Sequence, residues 1–154
     1  GSFRAIRPVN SLSHYTDWTV GHVHSGTLGW VAVTASTEIY TLVPKLAGRA
    51  DMAWPRAVEW HFWLAISGTL IYVVSLWNAG IAQGLMWRAY DSLGFLEYSF
   101  VESVEAMHPM YLIRAGGGIV YLLGSLIMVY NVWQTIKGRT RNEVPMGFAA
   151  PASV

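Results

Sequence analysis

The most constraining feature of the chain is the stretch over residues 17–40, DWTVGHVHSGTLGWVAVTASTEIY. It is long enough and apolar enough to cross a bilayer as a helix, yet it carries His22 and His24 near its start. Residues two apart on a helix point about 200° away from each other, so the two imidazoles leave on opposite faces. One ion held by one helix takes ligands three or four apart, because only those share a face. The i, i+2 spacing suits two separate groups, one on each side. Within a membrane, that geometry suggests a helix sandwiched between two hemes.

The rest of the composition fits a membrane setting. Hydrophobic residues make up 53% of the chain and charged residues 12%, with eight Trp and eight Tyr, a balance typical of membrane proteins. The formal net charge of +1 carries no signal for nucleic acid, and no nucleic-acid partner is expected. With no Cys in the chain, it cannot itself supply disulfides, Cys-ligated zinc, iron–sulfur clusters or covalently attached c-type heme. The first twenty residues are mixed and polar and do not resemble a signal peptide.

Taken in order, residues 1–16 read as a loop rich in turn residues. The first membrane helix is expected over 17–43, with Asp17 as N-cap or first-turn acid and Pro44 as its stop. Gly21, Gly26 and Gly29 would thin this helix and let a neighbour or a flat cofactor approach. Glu38 reads as an interfacial acid that snorkels or pairs with Lys45, or else as a functional intramembrane carboxylate. A loop over 44–56 carries Lys45, Arg49 and Arg56, and a second membrane helix follows over 57–83. Within it, His61 among Trp60 and Trp63 reads as a packing and hydrogen-bonding residue. The connection over 84–109 is acidic, and Ser99 to Glu102 form a capping-box pattern that predicts a short interfacial helix to about Met107. A third membrane helix is expected over 110–136, with Gly116, Gly117, Gly118 and Gly124 making a smooth packing surface. A polar tail covers 137–154. The basic residues after the first and third helices, Lys45, Arg49, Arg56, Lys137, Arg139 and Arg141, mark one side as cytoplasmic. The start of the first helix, with both histidines, then faces outward.

Four segments in order resemble one family. They are residues 16–26 (TDWTVGHVHSG), 58–63 (VEWHFW), 84–91 (GLMWRAYD) and 104–109 (VEAMHP). They are similar to the C-terminal part of the catalytic subunit of cbb3-type cytochrome c oxidases, the C-class heme-copper oxidases of bacterial inner membranes. The resemblance extends to about Lys137. It implies an all-α integral membrane fold in which three transmembrane helices form the C-terminal part of a twelve-helix bundle. It also implies that His22 is the axial ligand of high-spin heme b3, where oxygen binds, and that His24 is one of two axial ligands of low-spin heme b. Asn10 and His14 would lie by a heme b3 propionate. Arg88 and Arg114 lie on the correct side to neutralise propionates, with interfacial snorkelling as the plainer reading. The copper ligands, the second heme b ligand, an acid serving heme b3 and most of the proton channel are expected in the family upstream of these residues. The implied partners are the remainder of the catalytic subunit, membrane-anchored c-type cytochrome subunits, cytochrome c as donor and the lipid bilayer.

The implied reaction is four-electron reduction of oxygen to water coupled to proton translocation. Three alternatives stand beside it: nitric oxide reduction on a similar two-heme helix, a membrane b-type cytochrome that holds heme without catalysis, and a structural three-helix protein whose histidines only pack.

Overall fold

A computed structural model describes residues 5–138. The expected tail lies outside them from residue 139 onward, as do Arg139 and Arg141. The architecture is all-α. A short helix α1 (Arg7–Ser13) leads into a long helical run made of α2 (Asp17–His24), a π-helical segment (Ser25–Val31) and α3 (Ala32–Leu46). Two longer helices follow, α4 (Pro55–Met86) and α5 (Phe100–Ile136).

Local chemistry sets the helix starts. Pro8 opens the first turn of α1 and Pro55 that of α4, positions where a missing N–H costs nothing. Thr16 caps α2 by accepting from the Trp18 N–H at 3.3 Å, which leaves Asp17 as the first-turn acid and not the cap. Ser99 and Glu102 form the capping box of α5, with Ser99 N–H donating to Glu102 Oε2 at 2.7 Å and Glu102 N–H to Ser99 Oγ at 3.3 Å.

Two expected breaks are absent. The first helix does not stop before Pro44 but carries it in its last turn. It ends instead at Gly48, whose φ of 67° provides the left-handed residue of a Schellman closure. There Gly48 N–H donates to Lys45 O at 3.1 Å and Arg49 N–H to Pro44 O at 2.8 Å. Likewise, no separate interfacial helix precedes residue 110. α5 runs through Pro109, which forfeits only the bond to Glu105 O while its neighbours keep theirs.

Helices α4 and α5 are each long and apolar enough to cross a membrane, with 18-residue stretches of mean hydropathy 1.6 and 1.8. They pack through small residues. A Cβ on Gly68 would stand 2.8 Å from Gly117 O, and one on Gly117 would stand 2.9 Å from Gly68 O, so the two backbones touch where these glycines face each other. The expected smooth surface on α5 is used at Gly117 and Gly124 and is open at Gly116.

α2 and the π segment lie along α4, and α3 leans toward α5. At one end Gly80 and Gly84 of α4 meet the backbones of Trp18 and Leu12, and Gln83 Oε1 accepts from Asp17 N–H at 2.9 Å. At the other end, two residues buried on α5 strap down the loop before α4. Asn131 exchanges two 3.0 Å hydrogen bonds with the Trp54 backbone, and Thr135 Oγ1 accepts from Ala53 N–H at 2.9 Å. Arg49 lies beside Gly138 at this end. The loop after α3 and the end of α5 therefore share one side of the molecule, opposite to α1.

Candidate functional site

The site is built on the seam between α2 and α4. Gly21 faces Leu76 and Trp77 so closely that a Cβ would stand 2.8 Å from Trp77 Cδ1. With Gly21 fixed on the seam, helical winding carries His22 about 100° to one flank and His24 about 60° to the other. Each half-buried imidazole keeps its own company. His22 lies flat against Trp18, with centroids 5.8 Å apart and planes 8° apart, and Trp18 stacks in turn on Trp77 at 6.3 Å. His24 tilts against Tyr72 of α4 at 5.1 Å.

His24 also makes a hydrogen bond that sets its chemistry. Its Nδ1 is 2.8 Å from Val20 O. A carbonyl only accepts, so Nδ1 carries the proton and Nε2 keeps a free lone pair, the arrangement used by metal-ligating histidines. Beyond His24 the helix widens into the π segment, where Ala32 N–H reaches Thr27 O. Ser25 Oγ donates to His22 O at 2.6 Å and Thr27 Oγ1 to Val23 O at 3.2 Å, serving carbonyls at the change of winding. Gly26 and Gly29 fall within this segment, and a Cβ on either would meet no atom within 4 Å. π turns are frequent at functional sites; neither this one nor its position was anticipated from the residues.

Among the described residues no group of three or more His, Asp or Glu converges, and the chain has no Cys. No such group includes His22 or His24. A heme iron needs only one or two side-chain ligands, so single histidines on opposite flanks, one with its lone pair oriented outward from its own backbone bond, fit heme.

The remaining predicted residues gather at the same end. Asn10 is half-buried in α1, and its carbonyl accepts from His14 N–H at 2.8 Å. His14 is exposed beyond α1, with its ring edge-on to Tyr15 at 4.0 Å. Arg88 is exposed and donates to Ser11 Oγ at 3.1 Å, tying the end of α4 to α1. Arg114 lies over the Tyr111 ring at 4.7 Å, and Tyr111 stands beside Asp17. Two groups thus form, Ser11–Arg88 near Asn10 and Asp17–Tyr111–Arg114 beside α2. The links from Asp17 to Tyr111 and Gln83 were missed, since contacts between distant segments leave no local pattern.

His61 sits at the other end, 5% exposed, with Nδ1 2.9 Å from the Tyr40 hydroxyl. That is the hydrogen-bonding role expected of it. Glu38 and Lys45 are both exposed.

Comparison with known proteins places these features. Residues 1–120 match the family model described as cytochrome c and quinol oxidase polypeptide I. The chain is 56% identical over 153 residues to a cytochrome c oxidase subunit 1 homolog of Azorhizobium caulinodans, covering 99% of this chain and 28% of that protein. It is 53% identical over 137 residues to a cbb3-type cytochrome c oxidase subunit of Stutzerimonas stutzeri, covering 89% and 29%. Against a nitric oxide reductase chain of the same organism the identity is 26% over 156 residues, covering 99% and 31%. The chain spans under a third of the length of these relatives.

Proposed function

This chain belongs to the cytochrome c and quinol oxidase polypeptide I family, and from that premise we propose that it forms the C-terminal part of the catalytic subunit of a cbb3-type cytochrome c oxidase. In this reading the complete enzyme sits in a bacterial inner membrane. It reduces oxygen to water with electrons from cytochrome c, delivered through c-type cytochrome subunits, and couples this to proton translocation. Identity above 50% to oxidase subunits, against 26% to a nitric oxide reductase chain, supports this choice over the reductase.

The observation that carries the reading is the placement of His22 and His24 on opposite flanks of a glycine-seated seam, with the His24 Nε2 lone pair free. His22 would hold heme b3 and His24 heme b. When bound, the first supplies an open iron position for oxygen and the second supplies electrons. The protein's own part is to orient the ligands. Trp18 holds the His22 ring flat, and Val20 O fixes the His24 tautomer. Gly21 and Gly80 let α2 lie against α4, so one rigid element sets the position of both imidazoles. Arg88, Arg114, Asn10 and His14 gather at the end of α2 nearest the histidines and would meet the propionates there. Copper would be held by residues outside this chain.

The run from α2 to α3 would be a third membrane span. Continuous helix from residue 17 to 46 extends about 45 Å at 1.5 Å per residue. The basic loop after α3 would be cytoplasmic and the histidine end periplasmic, as the shared side of Lys45, Arg49 and Lys137 supports.

The test is a pair of optical difference spectra of the complex, reduced minus oxidised and reduced plus carbon monoxide, for wild type, His22→Ala and His24→Ala. Loss of the carbon-monoxide-reactive b heme in His22→Ala, and disturbance of the low-spin b heme in His24→Ala, is the expected outcome. Unchanged hemes in both variants would show that the histidines only pack. A wild type that holds b heme but never reacts with carbon monoxide would be a non-catalytic cytochrome.

A further inference from the structure

A groove between α4 and α5 lies far from the histidines, at the end of the molecule that carries Lys137. It encloses about 700 Å³. On α4 it runs from Arg56 past Trp60 to Leu64, and on α5 from Tyr130 past Leu126 to Leu123. Eight residues of helix from Arg56 to Leu64 carry it about 12 Å along the axis. Its floor is the contact of Gly124 with Leu64 and Ala65. α3 lies on the other side of that contact, where Tyr40, His61 and Tyr121 line a separate cavity.

The groove changes character along its length. Leu64, Leu123, Leu126 and Ile127 make the deep part aliphatic. The mouth is aromatic and basic. Trp54 meets Tyr130 edge-on at 5.7 Å, and Tyr130 lies 6.0 Å from Trp133, whose ring carries the Lys137 ammonium at 4.3 Å. Asn131 pins the Trp54 backbone with two 3.0 Å hydrogen bonds, so the aromatic row is anchored. Arg56 is exposed at the mouth and makes no hydrogen bond or ion pair among the described residues. Asp51 and Glu59, the acids nearest to it in sequence, line a different hollow together with Lys45. The mouth is therefore positively charged.

Two physical arguments select the occupant. Helices in a membrane meet through small residues, because their backbones have to approach, as Gly68 and Gly117 do here. Among the residues lining this groove Ala57 alone is small, so it is a poor seat for a further helix, whereas a flexible acyl chain follows such a surface. The mouth adds specificity. Trp and Tyr gather where a membrane helix passes the lipid headgroups, and basic pockets between helices on the cytoplasmic side take anionic headgroups.

We propose that this groove is a binding site for one anionic phospholipid of the cytoplasmic leaflet. Arg56 takes the phosphate, with Lys137 adding to the local positive field. Trp54 and Tyr130 flank the glycerol, and an acyl chain lies along Leu64, Leu126 and Leu123. The lipid clamps α4 to α5 at this end. From the oxidase reading the proposal takes only the orientation of the two helices in the membrane.

The test uses the complete oxidase, washed in detergent. Retained phospholipid is counted by native mass spectrometry, and melting is followed as phosphatidylglycerol or phosphatidylcholine is added, for wild type, Arg56→Gln, Leu126→Trp and Leu112→Trp. Leu126 is 56% exposed, so a larger ring there fills the groove without entering the core; Leu112, 74% exposed, lies outside the groove. Wild type and Leu112→Trp are expected to retain phosphatidylglycerol and to melt higher with it than with phosphatidylcholine, as binding to the folded state requires. Arg56→Gln should bind phosphatidylglycerol about five-fold more weakly, the effect of one basic residue at a lipid surface. Leu126→Trp should retain neither lipid at this site. A photoreactive benzophenone amino acid in place of Leu126 should crosslink to a phospholipid. Loss of phosphatidylglycerol from wild type as readily as from Leu126→Trp overturns the site, and so does a crosslink to polypeptide, which would show a protein segment in the groove. No readout here uses heme or turnover. A complex that holds the lipid but has no carbon-monoxide-reactive heme would refute the oxidase reading and support the site.

Discussion

The close approach of α2 to α4 makes Gly80→Ala the sharpest test of how the histidines are held. A Cβ on Gly80 would overlap Trp18 N and stand 2.5 Å from Trp18 Cβ and 2.6 Å from its Cα, where ordinary contact begins at 3.4 Å. Backbone cannot swing aside as a side-chain tip can, so α2 has to withdraw by about 1 Å. Overpacking of this kind costs about 1–3 kcal/mol. It opposes the gain of about 0.8–1 kcal/mol that Gly→Ala brings to an unobstructed helix. The sign is therefore diagnostic. Gly116→Ala, where a Cβ meets nothing within 4 Å, should be neutral or stabilising, whereas Gly80→Ala should lower the melting temperature of the detergent-solubilised complex. Trp18 carries the stacked His22 ring one turn later, so the same shift should move the proposed heme b3 ligand. A displacement of about 1 Å can cost on the order of 100-fold in rate. The assays are thermal melting, the carbon monoxide difference spectrum and oxygen consumption. If Gly80→Ala melts no lower than Gly116→Ala and keeps wild-type spectra and turnover, the seam does not position His22 and the reasoning fails.

Two further outcomes concern the scaffold. Asn131→Leu removes both bonds to the Trp54 backbone at a site 1% exposed, so it should cost about 2–3 kcal/mol and speed proteolysis within residues 47–54, read by melting and timed digestion. Ser99→Ala removes the capping-box acceptor of α5 and should cost about 1 kcal/mol, with faster amide exchange confined to residues 100–104; protection there equal to wild type would show that the cap contributes nothing.

What could be seen in the sequence was whatever depends on near neighbours. The Ser99–Glu102 box, the hydrogen-bonding role of His61 and the small-residue packing at Gly117 and Gly124 all follow from side-chain type and spacing of a few residues. The opposite flanks of His22 and His24 follow from winding alone. The helix ends were harder. Pro44 was read as a stop and residues 108–109 as a break before the third helix, but one missing N–H is tolerated when flanking turns are intact, and the real terminator of the first helix, Gly48, was decided by its left-handed backbone. The π segment was invisible because Ser25, Thr27 and two glycines form no local pattern that separates wide from ordinary winding. The straps from Asn131 and Thr135, and the pairing of Arg88 with Ser11, join residues some eighty positions apart and exist only once α5 has met the loop before α4 and α1 has met the end of α4.

The π segment also bears on how this helix can change over generations. Its wider turns hold more residues than the same length of α-helix, so it is the point in the run where the chain has slack. Losing one residue between Ser25 and Val31 would tighten a turn to ordinary winding and leave α3 close to its register on α2, with the helix kept whole. The same loss within α2 would strip His22 and His24 of their register on α4. The segment therefore works as a coupling between two differently constrained halves. The imidazole half is locked to its seam by Gly21 and Gly80, while α3 is held by the Tyr40–His61 hydrogen bond, and the slack between them absorbs a change in residue number.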